Sequence, residues 1–123
     1  MLADRIPTDT TLPTRGRNRH RAPAERLRAA LLDLAGGLAE FAGHRERSWA
    51  SITFAGTRHS IELHFAGEAA IAAGERFIEV LPDHEFAIPG QLVADAAILE
   101  VDHRIGPAPL MKIKAELLLL DEA

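Results

Sequence analysis

Apolar and polar residues alternate along four short stretches of this chain. The stretches are Ser48–Ala55, His59–Ala66, Leu92–His103 and Leu110–Leu120. Alternation with a period of two is typical of a β-strand that buries one face and exposes the other. In the second stretch, for example, Ile61, Leu63 and Phe65 form the apolar set. We therefore predict four strands that share one apolar face.

Two other segments repeat their apolar residues with the period of an α-helix. In Pro23–Gly43 the apolar stripe consists of Leu27, Leu31, Leu34, Leu38 and Phe41. Gly67–Leu81 has a similar apolar side and is followed by Pro82, which cannot continue a helix. The spacing therefore predicts one helix before each pair of strands.

The order α-β-β-α-β-β predicts an α+β fold, a two-layer sandwich with a four-stranded antiparallel sheet and two helices on one face. If the last strand lies centrally, the strand order is 3-4-2-1, a permuted ferredoxin-like arrangement. Gly36-Gly37 and Gly74 fall inside the two predicted helices. We predict that they mark a point where the helices cross at short range.

Polar side chains gather on the predicted open face of the sheet, and three interpretations are open for them. The face can be simply solvated, it can be a homo-oligomer interface anchored by Trp49, or it can hold a ligand or a metal ion. The third interpretation uses Glu62 and His64, which point the same way from one strand, with Glu100 or Asp102 as a further carboxylate. A two-histidine set is not indicated by the spacing, so neither a metal nor a cofactor is expected.

Two more candidate positions lie outside this face. His84 and Glu85 occupy a predicted loop, where they can serve acid–base chemistry or simply form a polar turn. Asp95 falls on the apolar face, with Val93, Ala97, Leu99 and Val101, if the third strand alternates without interruption. A buried carboxylate needs a partner, for which His59 and His103 are available; the alternatives are a bulge near Ala96-Ala97 or a strand that begins after Asp95.

Charge is unevenly distributed along the chain. Residues 1–28 carry seven basic and three acidic residues, whereas residues 29–123 carry seven basic and fifteen acidic residues. We interpret residues 1–22 as a disordered basic arm and residues 23–123 as a single α+β domain.

Alternating arginines in the arm are candidates for binding nucleic acid or another polyanion through phosphate contacts. These candidates are Arg15, Arg17, Arg19 and Arg21. The body of the chain is acidic, however, and it carries no recognisable nucleic-acid-binding motif. A solvated tail is therefore the favoured interpretation.

The composition indicates a cytoplasmic protein. The chain has no cysteine, which excludes a disulfide framework, thiolate metal sites and a cysteine nucleophile. No apolar stretch approaches the roughly 18 residues of a membrane span, and the first residues lack the apolar centre of a signal peptide.

Three segments carry a resemblance to known sequences. These are Ser48-Trp-Ala-Ser-Ile-Thr-Phe-Ala-Gly56, the stretch from Leu81-Pro-Asp-His-Glu-Phe-Ala-Ile-Pro-Gly90 to Asp95, and Glu116-Leu-Leu-Leu-Leu120. Together they resemble a group of small bacterial conserved-hypothetical proteins. The resemblance implies a bacterial cytoplasmic protein and no catalytic residues.

The function that these observations favour is a small, non-enzymatic domain that self-associates or binds a ligand through the open sheet face. One alternative is a small enzyme or metal-binding protein with its site on the same face. Another is a nucleic-acid-associated protein that acts through its arginine-rich arm.

Overall fold

The computed structural model describes the backbone of residues 14–122 and the side chains of residues 22–122. It contains two α-helices, one short 3₁₀ turn and four strands in the described part of the chain. These are α1 (Thr14–Leu34), β1 (Glu40–Ala50), β2 (Ala55–Ala66), α2 (Glu68–Val80), the turn Leu81–Asp83, β3 (Gln91–Arg104) and β4 (Leu110–Asp121). The order is the predicted α-β-β-α-β-β.

The four strands form one antiparallel sheet in the order β1-β2-β4-β3. The last strand is therefore central, as the permuted arrangement requires. Both helices contribute to a single core on one side of this sheet, with Leu27 and Leu31 from α1 and Ile71 and Phe77 from α2. The predicted α+β sandwich is confirmed.

The central strands supply most of the core because both of their edges are paired and their inward positions are apolar. The fully buried side chains of the sheet include Leu63 and Phe65 of β2 and Ile113, Leu117 and Leu119 of β4. Burying side chains of this size stabilises the fold by about 1.5 to 3 kcal/mol each. The opposite side of the sheet carries no helix in the described residues; we call it the open face.

Helix α1 ends earlier than predicted. Its last residue is Leu34, and Gly36 and Gly37 follow it with φ angles of +66° and +73°. The Gly37 N–H donates to the Leu32 carbonyl at 2.9 Å, which satisfies one of the last carbonyls of the helix. The predicted mid-helix place of this glycine pair is therefore wrong, because the left-handed backbone ends the helix there.

The close approach predicted at the glycines involves α2 and the sheet and not the two helices. A Cβ atom added at Gly36 or Gly37 meets nothing within 4 Å, whereas one at Gly74 would lie 3.1 Å from Phe65 Cγ and 3.1 Å from Met111 Sδ. Gly74 thus lets α2 pack tightly on β2 and β4.

At its other end α1 begins earlier than predicted, at Thr14, and Pro23 lies inside the helix and not at its start. The last third of the segment interpreted as a disordered arm is therefore helical. The helix is anchored in the core by Leu27 and Leu31. The segment before them is rich in arginine, which favours the helix, so the helix continues toward the N-terminus. Residues 1–13 lie outside the described residues.

The polyanion-binding candidates fall in this N-terminal part of α1. The backbone of the helix carries all four of them, namely Arg15, Arg17, Arg19 and Arg21. The interpretation of residues 1–22 as a disordered arm stays a prediction, since residues 1–13 lie outside the described residues. The side chains of the four arginines lie outside the described residues, so polyanion binding by these arginines stays a prediction.

Strand β1 lies upstream of the predicted first strand. The segment Ser51–Phe54, predicted as strand, forms the hairpin turn: the Ser51 N–H donates to the Phe54 carbonyl at 2.7 Å, and the Phe54 N–H donates to Ser51 Oγ at 3.1 Å. Ile52, predicted to face inward, is fully exposed at the tip of this turn. The alternation continues through the turn, so it does not show where the strand ends.

Three bulges change which side chains face the core. In each case one residue has no partner across the strand pair: Ala42 in β1, and Ala94 and Leu99 in β3. Asp95 lies opposite Leu118 on the open face and is exposed. The predicted bulge therefore exists, at Ala94 and not at Ala96-Ala97, and Asp95 does not need a buried partner. The predicted inward position of Leu99 is wrong, because this side chain is 59% exposed.

Candidate functional site

The open face is organised in cross-strand rows. The row at one end is apolar and contains Trp49, Gly56, Leu120 and Leu92, in the order of the strands. Gly56 lies between Trp49 and Leu120, and a Cβ atom at this position would lie 2.9 Å from Leu120 Cα. Leu120 is buried while Leu92 is half exposed. Trp49 therefore faces the open side, as predicted.

Charges of opposite sign lie on the two edge strands of the open face. Arg45 and Arg47 of β1 point to this side, as do Asp95 and Asp102 of β3. Within residues 22–122 none of these four side chains has an ion-pair partner. We call the two sets the basic column of β1 and the acidic column of β3. Glu40 at the start of β1 and Arg104 at the end of β3 point to the open face as well, at the far end of the sheet from Trp49.

The centre of the open face holds charges that are already paired. Arg58 lies 3.2 Å from Glu116, and Lys114 lies 3.7 Å from Glu100. A shallow depression of about 380 Å³ lies beside them, with Leu99 at its wall. The charges at the centre of the open face therefore have partners within the described part of the chain, whereas those of the basic and acidic columns do not.

The predicted pair of Glu62 and His64 is present, but it does not gather the other candidates. His64 Nε2 donates to Glu62 Oε2 at 2.6 Å, and this hydrogen bond lowers the pKa of the exposed Glu62 carboxyl. Asp102 lies in the same cross-strand row as His64, but Lys112 of β4 stands between them. Two strand spacings are about 10 Å, so the carboxylate and the imidazole do not share a ligand.

The candidates in the loop before β3 lie apart from this pair. His84 and Glu85 are exposed, and neither side chain makes a hydrogen bond or ion pair within the described residues. The His84 ring packs edge-on against Phe86, with ring centroids 4.6 Å apart. The predicted candidates of the loop and of the open face therefore lie on separate parts of the surface.

The sequence analysis missed one cluster, formed by His44, Glu46 and His59. The pairing that starts at the β1–β2 turn places His44 opposite Ile61 and Glu46 opposite His59, so both side chains point to the helical side of the sheet. His44 Nε2 and His59 Nδ1 share a hydrogen bond of 2.9 Å. One potential ligand atom from each of the three residues lies within 4.8 Å of the other two.

Burial sets the protonation of this cluster. His59 is 2% exposed, and burial lowers its pKa to about 4, with a smaller effect of the neighbouring His44. Burial also lowers the pKa of His44, and Arg28 acts in the same direction while Glu46 opposes it. Both imidazoles are therefore neutral at neutral pH, and one donates a hydrogen bond to the other.

A signal for the cluster exists in the sequence, but it depends on the turn. In a hairpin that closes between Ser51 and Phe54, residues equally far from the turn are paired, and this rule places Glu46 opposite His59. Placing the first strand at Ser48–Ala55 hid this pairing. The same rule places His44 opposite Ile61, on the same side of the sheet as Glu46.

No protein-family model and no curated protein matches the chain. Among solved structures, the chain is similar to a chain of the virion of a native gene transfer agent (GTA) particle, with a TM-score of 0.55 and 15% sequence identity. The match covers 81% of this chain and 92% of that chain. At this identity the likeness shows a shared fold. No helix in residues 14–122 has the length and apolar character needed to cross a membrane.

Proposed function

We propose that this protein is a structural subunit that associates with a second copy of itself through its open face, as part of a larger particle. The observation that carries the proposal is the opposite charge of the two edge columns, Arg45 and Arg47 against Asp95 and Asp102. The fold shared with a chain of a virion particle supports it. The bacterial, cytoplasmic setting expected from the sequence belongs to the same proposal.

The geometry of the sheet pairs these columns between copies. A two-fold axis that runs parallel to the strands, between two facing sheets, places β1 of each copy over β3 of the other. Arg47 then meets Asp95 twice and Trp49 meets Leu92 twice, because the members of each pair lie in one row. Asp102 lies in the row of Glu40, two rows from Arg45, so the complementary charge contact of this arrangement is that of Arg47 with Asp95. Complementary charges of this kind set the register of an interface more than its affinity.

The open face is large enough for a stable contact. Four strands about 4.8 Å apart and the five rows that span all of them, about 6.7 Å apart, give a flat area of roughly 650 Å². Stable complexes bury about 800 Å² on each partner. Side chains that project from the sheet raise the contact area above that of the flat sheet. The apolar row contributes Trp49, and tryptophan is a frequent interface anchor.

The enzymatic alternative on the open face is less well supported. It needs Glu62, His64 and Asp102 at one point, and the structure separates Asp102 from His64 by a strand.

The nucleic-acid alternative rests on the basic N-terminal part of α1. Its candidate residues are Arg15, Arg17, Arg19 and Arg21. Nothing in the described side chains bears on these residues, so this alternative stays a prediction.

Reversing the basic column is expected to disrupt association. In the double variant Arg45→Glu, Arg47→Glu, both edge strands carry negative charge. We expect self-association to weaken by about 100-fold. Contacts between like charges cost several kcal/mol, and each 1.4 kcal/mol changes the dissociation constant by a factor of ten. Light scattering across a concentration series measures the mass and the dissociation constant. A dimer indicates the two-fold arrangement, and a larger assembly indicates head-to-tail pairing of the same columns.

Two controls make this experiment decisive. The matched variant Arg26→Glu, Arg76→Glu changes the charge equally on the helical layer, where both arginines are exposed, and is expected to associate normally. Mixing the β1 variant with Asp95→Lys, Asp102→Lys restores both complementary contacts and is expected to give a mixed complex. A wild-type protein that remains monomeric at all concentrations contradicts the proposal, and so does a mixture that does not associate.

A further inference from the structure

We propose that His44, Glu46 and His59 bind a divalent first-row transition-metal ion, with Zn²⁺ as the representative case, at the edge of the sheet beside α1. The three side chains come from adjacent positions of the β1–β2 hairpin and offer two imidazole nitrogens and one carboxylate oxygen. Imidazole and carboxylate ligands suit Zn²⁺ and related ions, and sets of two histidines and one carboxylate bind such ions in known sites.

The distances fit a common centre. His44 Nε2 and His59 Nδ1 are 2.9 Å apart. Two ligands at about 2.1 Å from a metal ion are about 3.0 Å apart when they subtend 90° and about 3.4 Å apart in a tetrahedral site. Because all three candidate ligand atoms lie within 4.8 Å of one another, small side-chain rotations bring them around one ion.

The register of the β1–β2 hairpin builds this arrangement. The pairing is continuous from Ala50↔Ala55 back to Gly43↔Glu62, so His44 lies opposite Ile61 and Glu46 opposite His59, both on the helical side. The bulge at Ala42 lies beyond His44 and brings Phe41, the partner of Leu63, to the same side. Bulges that re-aim side chains are frequent next to functional sites.

One end of the site is buried. His59 is 2% exposed, and a metal ion between the two rings would replace the hydrogen bond that joins His59 Nδ1 to His44 Nε2. Arg28 of α1 is a competing charge: its guanidinium lies 4.6 Å from the centre of the Phe41 ring, and it raises the energy of a cation at His44. Glu46 is exposed and supplies the negative charge that offsets it.

The site is tested by titrating tag-free, metal-depleted protein with Zn²⁺ in a calorimeter. We expect one ion per chain. Loss of one protein ligand should weaken binding by more than about 100-fold, since even outer-sphere changes cost 10-fold to 100-fold. Glu46→Gln tests this at an exposed position where folding is not at risk, and His44→Gln tests the second ligand. The matched control is Glu62→Gln with His64→Gln, a histidine–carboxylate pair on the other side of the same hairpin.

A spectroscopic measurement identifies the ligand atoms independently of affinity. In nitrogen-15 spectra of the histidine rings, Zn²⁺ is expected to shift His44 Nε2 and His59 Nδ1 and to leave His64 and His84 unchanged. Absence of Zn²⁺ binding by the wild-type chain overturns the proposal. So does binding that the Glu46 and His44 variants leave unchanged, or binding that the open-face control abolishes. None of these outcomes bears on self-association, which has its own variants.

Discussion

Replacing Gly74 by leucine is expected to lower the free energy of unfolding by about 2 to 3 kcal/mol. Gly74 is buried in α2, and a Cβ atom there would already press on Phe65 and Met111 at 3.1 Å. The further carbons of leucine have no space, because Phe65 and Met111 are themselves buried in the core. The gain in helix propensity from removing glycine, up to about 1 kcal/mol, is too small to offset the overlap.

Thermal unfolding measures this change against a matched control on the same helix. For a domain of this size we expect the melting temperature to fall by roughly 10 to 20 °C. Ala72→Leu adds a similar side chain at an exposed position of α2 and is expected to change stability by less than about 0.5 kcal/mol. Equal melting temperatures for Gly74→Leu and the wild-type protein would show that α2 does not pack tightly on the sheet.

Metal-free protein is expected to lose stability as the pH falls from about 6.5 to about 4. The pKa of His59 is about 4 in the folded protein, against an ordinary value of 6.5. Between these values the unfolded chain binds a proton that the folded chain excludes, so stability is full above pH 6.5 and falls toward pH 4. This difference between the two pKa values corresponds to a loss of about 3 kcal/mol in the free energy of unfolding at the acid end of the range. His44 has a lowered pKa as well and contributes in the same direction.

Urea unfolding at several pH values between 7 and 4, in buffer with a chelator, measures this dependence. The variant His59→Gln cannot titrate, so its stability is expected to change less steeply with pH than that of the wild-type protein. His84→Gln removes an exposed histidine and is expected to keep the wild-type slope. If His59→Gln keeps the wild-type slope, the buried imidazole is not the source of the acid sensitivity. His59→Gln can lower the free energy of unfolding at every pH. The change of that free energy with pH still tests the prediction, because a uniform loss of stability does not alter it.

The fold could be predicted from the sequence because the central strands carry their pattern without interruption. In the paired parts of β2 and β4 the apolar residues at alternate positions reach the core, from Ile61 to Phe65 and from Met111 to Leu119. The strand order 3-4-2-1 was predicted only on the condition that the last strand is central, and the pairing of β4 with both β2 and β3 meets that condition. The first helix was predicted to end too late because its stripe continued to Leu38 and Phe41, which belong to the segment after the Gly36-Gly37 turn.

The start of the first helix was also misplaced, for a compositional reason. The segment that contains Arg15, Arg17, Arg19 and Arg21 has little to bury, and this composition is typical of a disordered arm. A helix whose later turns are packed needs no apolar residues in its first turns, because each added residue gains one backbone hydrogen bond. The charge pattern therefore did not show where α1 begins.

The candidate sites were less predictable because edge strands have weaker patterns. In β1 and β3 only one edge is paired, and bulges at Ala42, Ala94 and Leu99 shift the alternation by one residue each. A shift by one residue sends every following side chain to the other face. Asp95 thereby leaves the core. The cluster of His44, Glu46 and His59 depends instead on where the β1–β2 hairpin turns.

The sequence by itself determined the two-layer architecture and the outward direction of Trp49, Glu62 and His64. These features depend on local periodicity and on the need to bury apolar side chains, and both can be read along the chain. Only the tertiary structure decided that β4 is central, where the β1–β2 hairpin turns and where the bulges of β3 lie. Those choices depend on pairing between strands: the turn brings His44, Glu46 and His59 together and directs Arg45 and Arg47 to the open face, and the bulge at Ala94 directs Asp95 there.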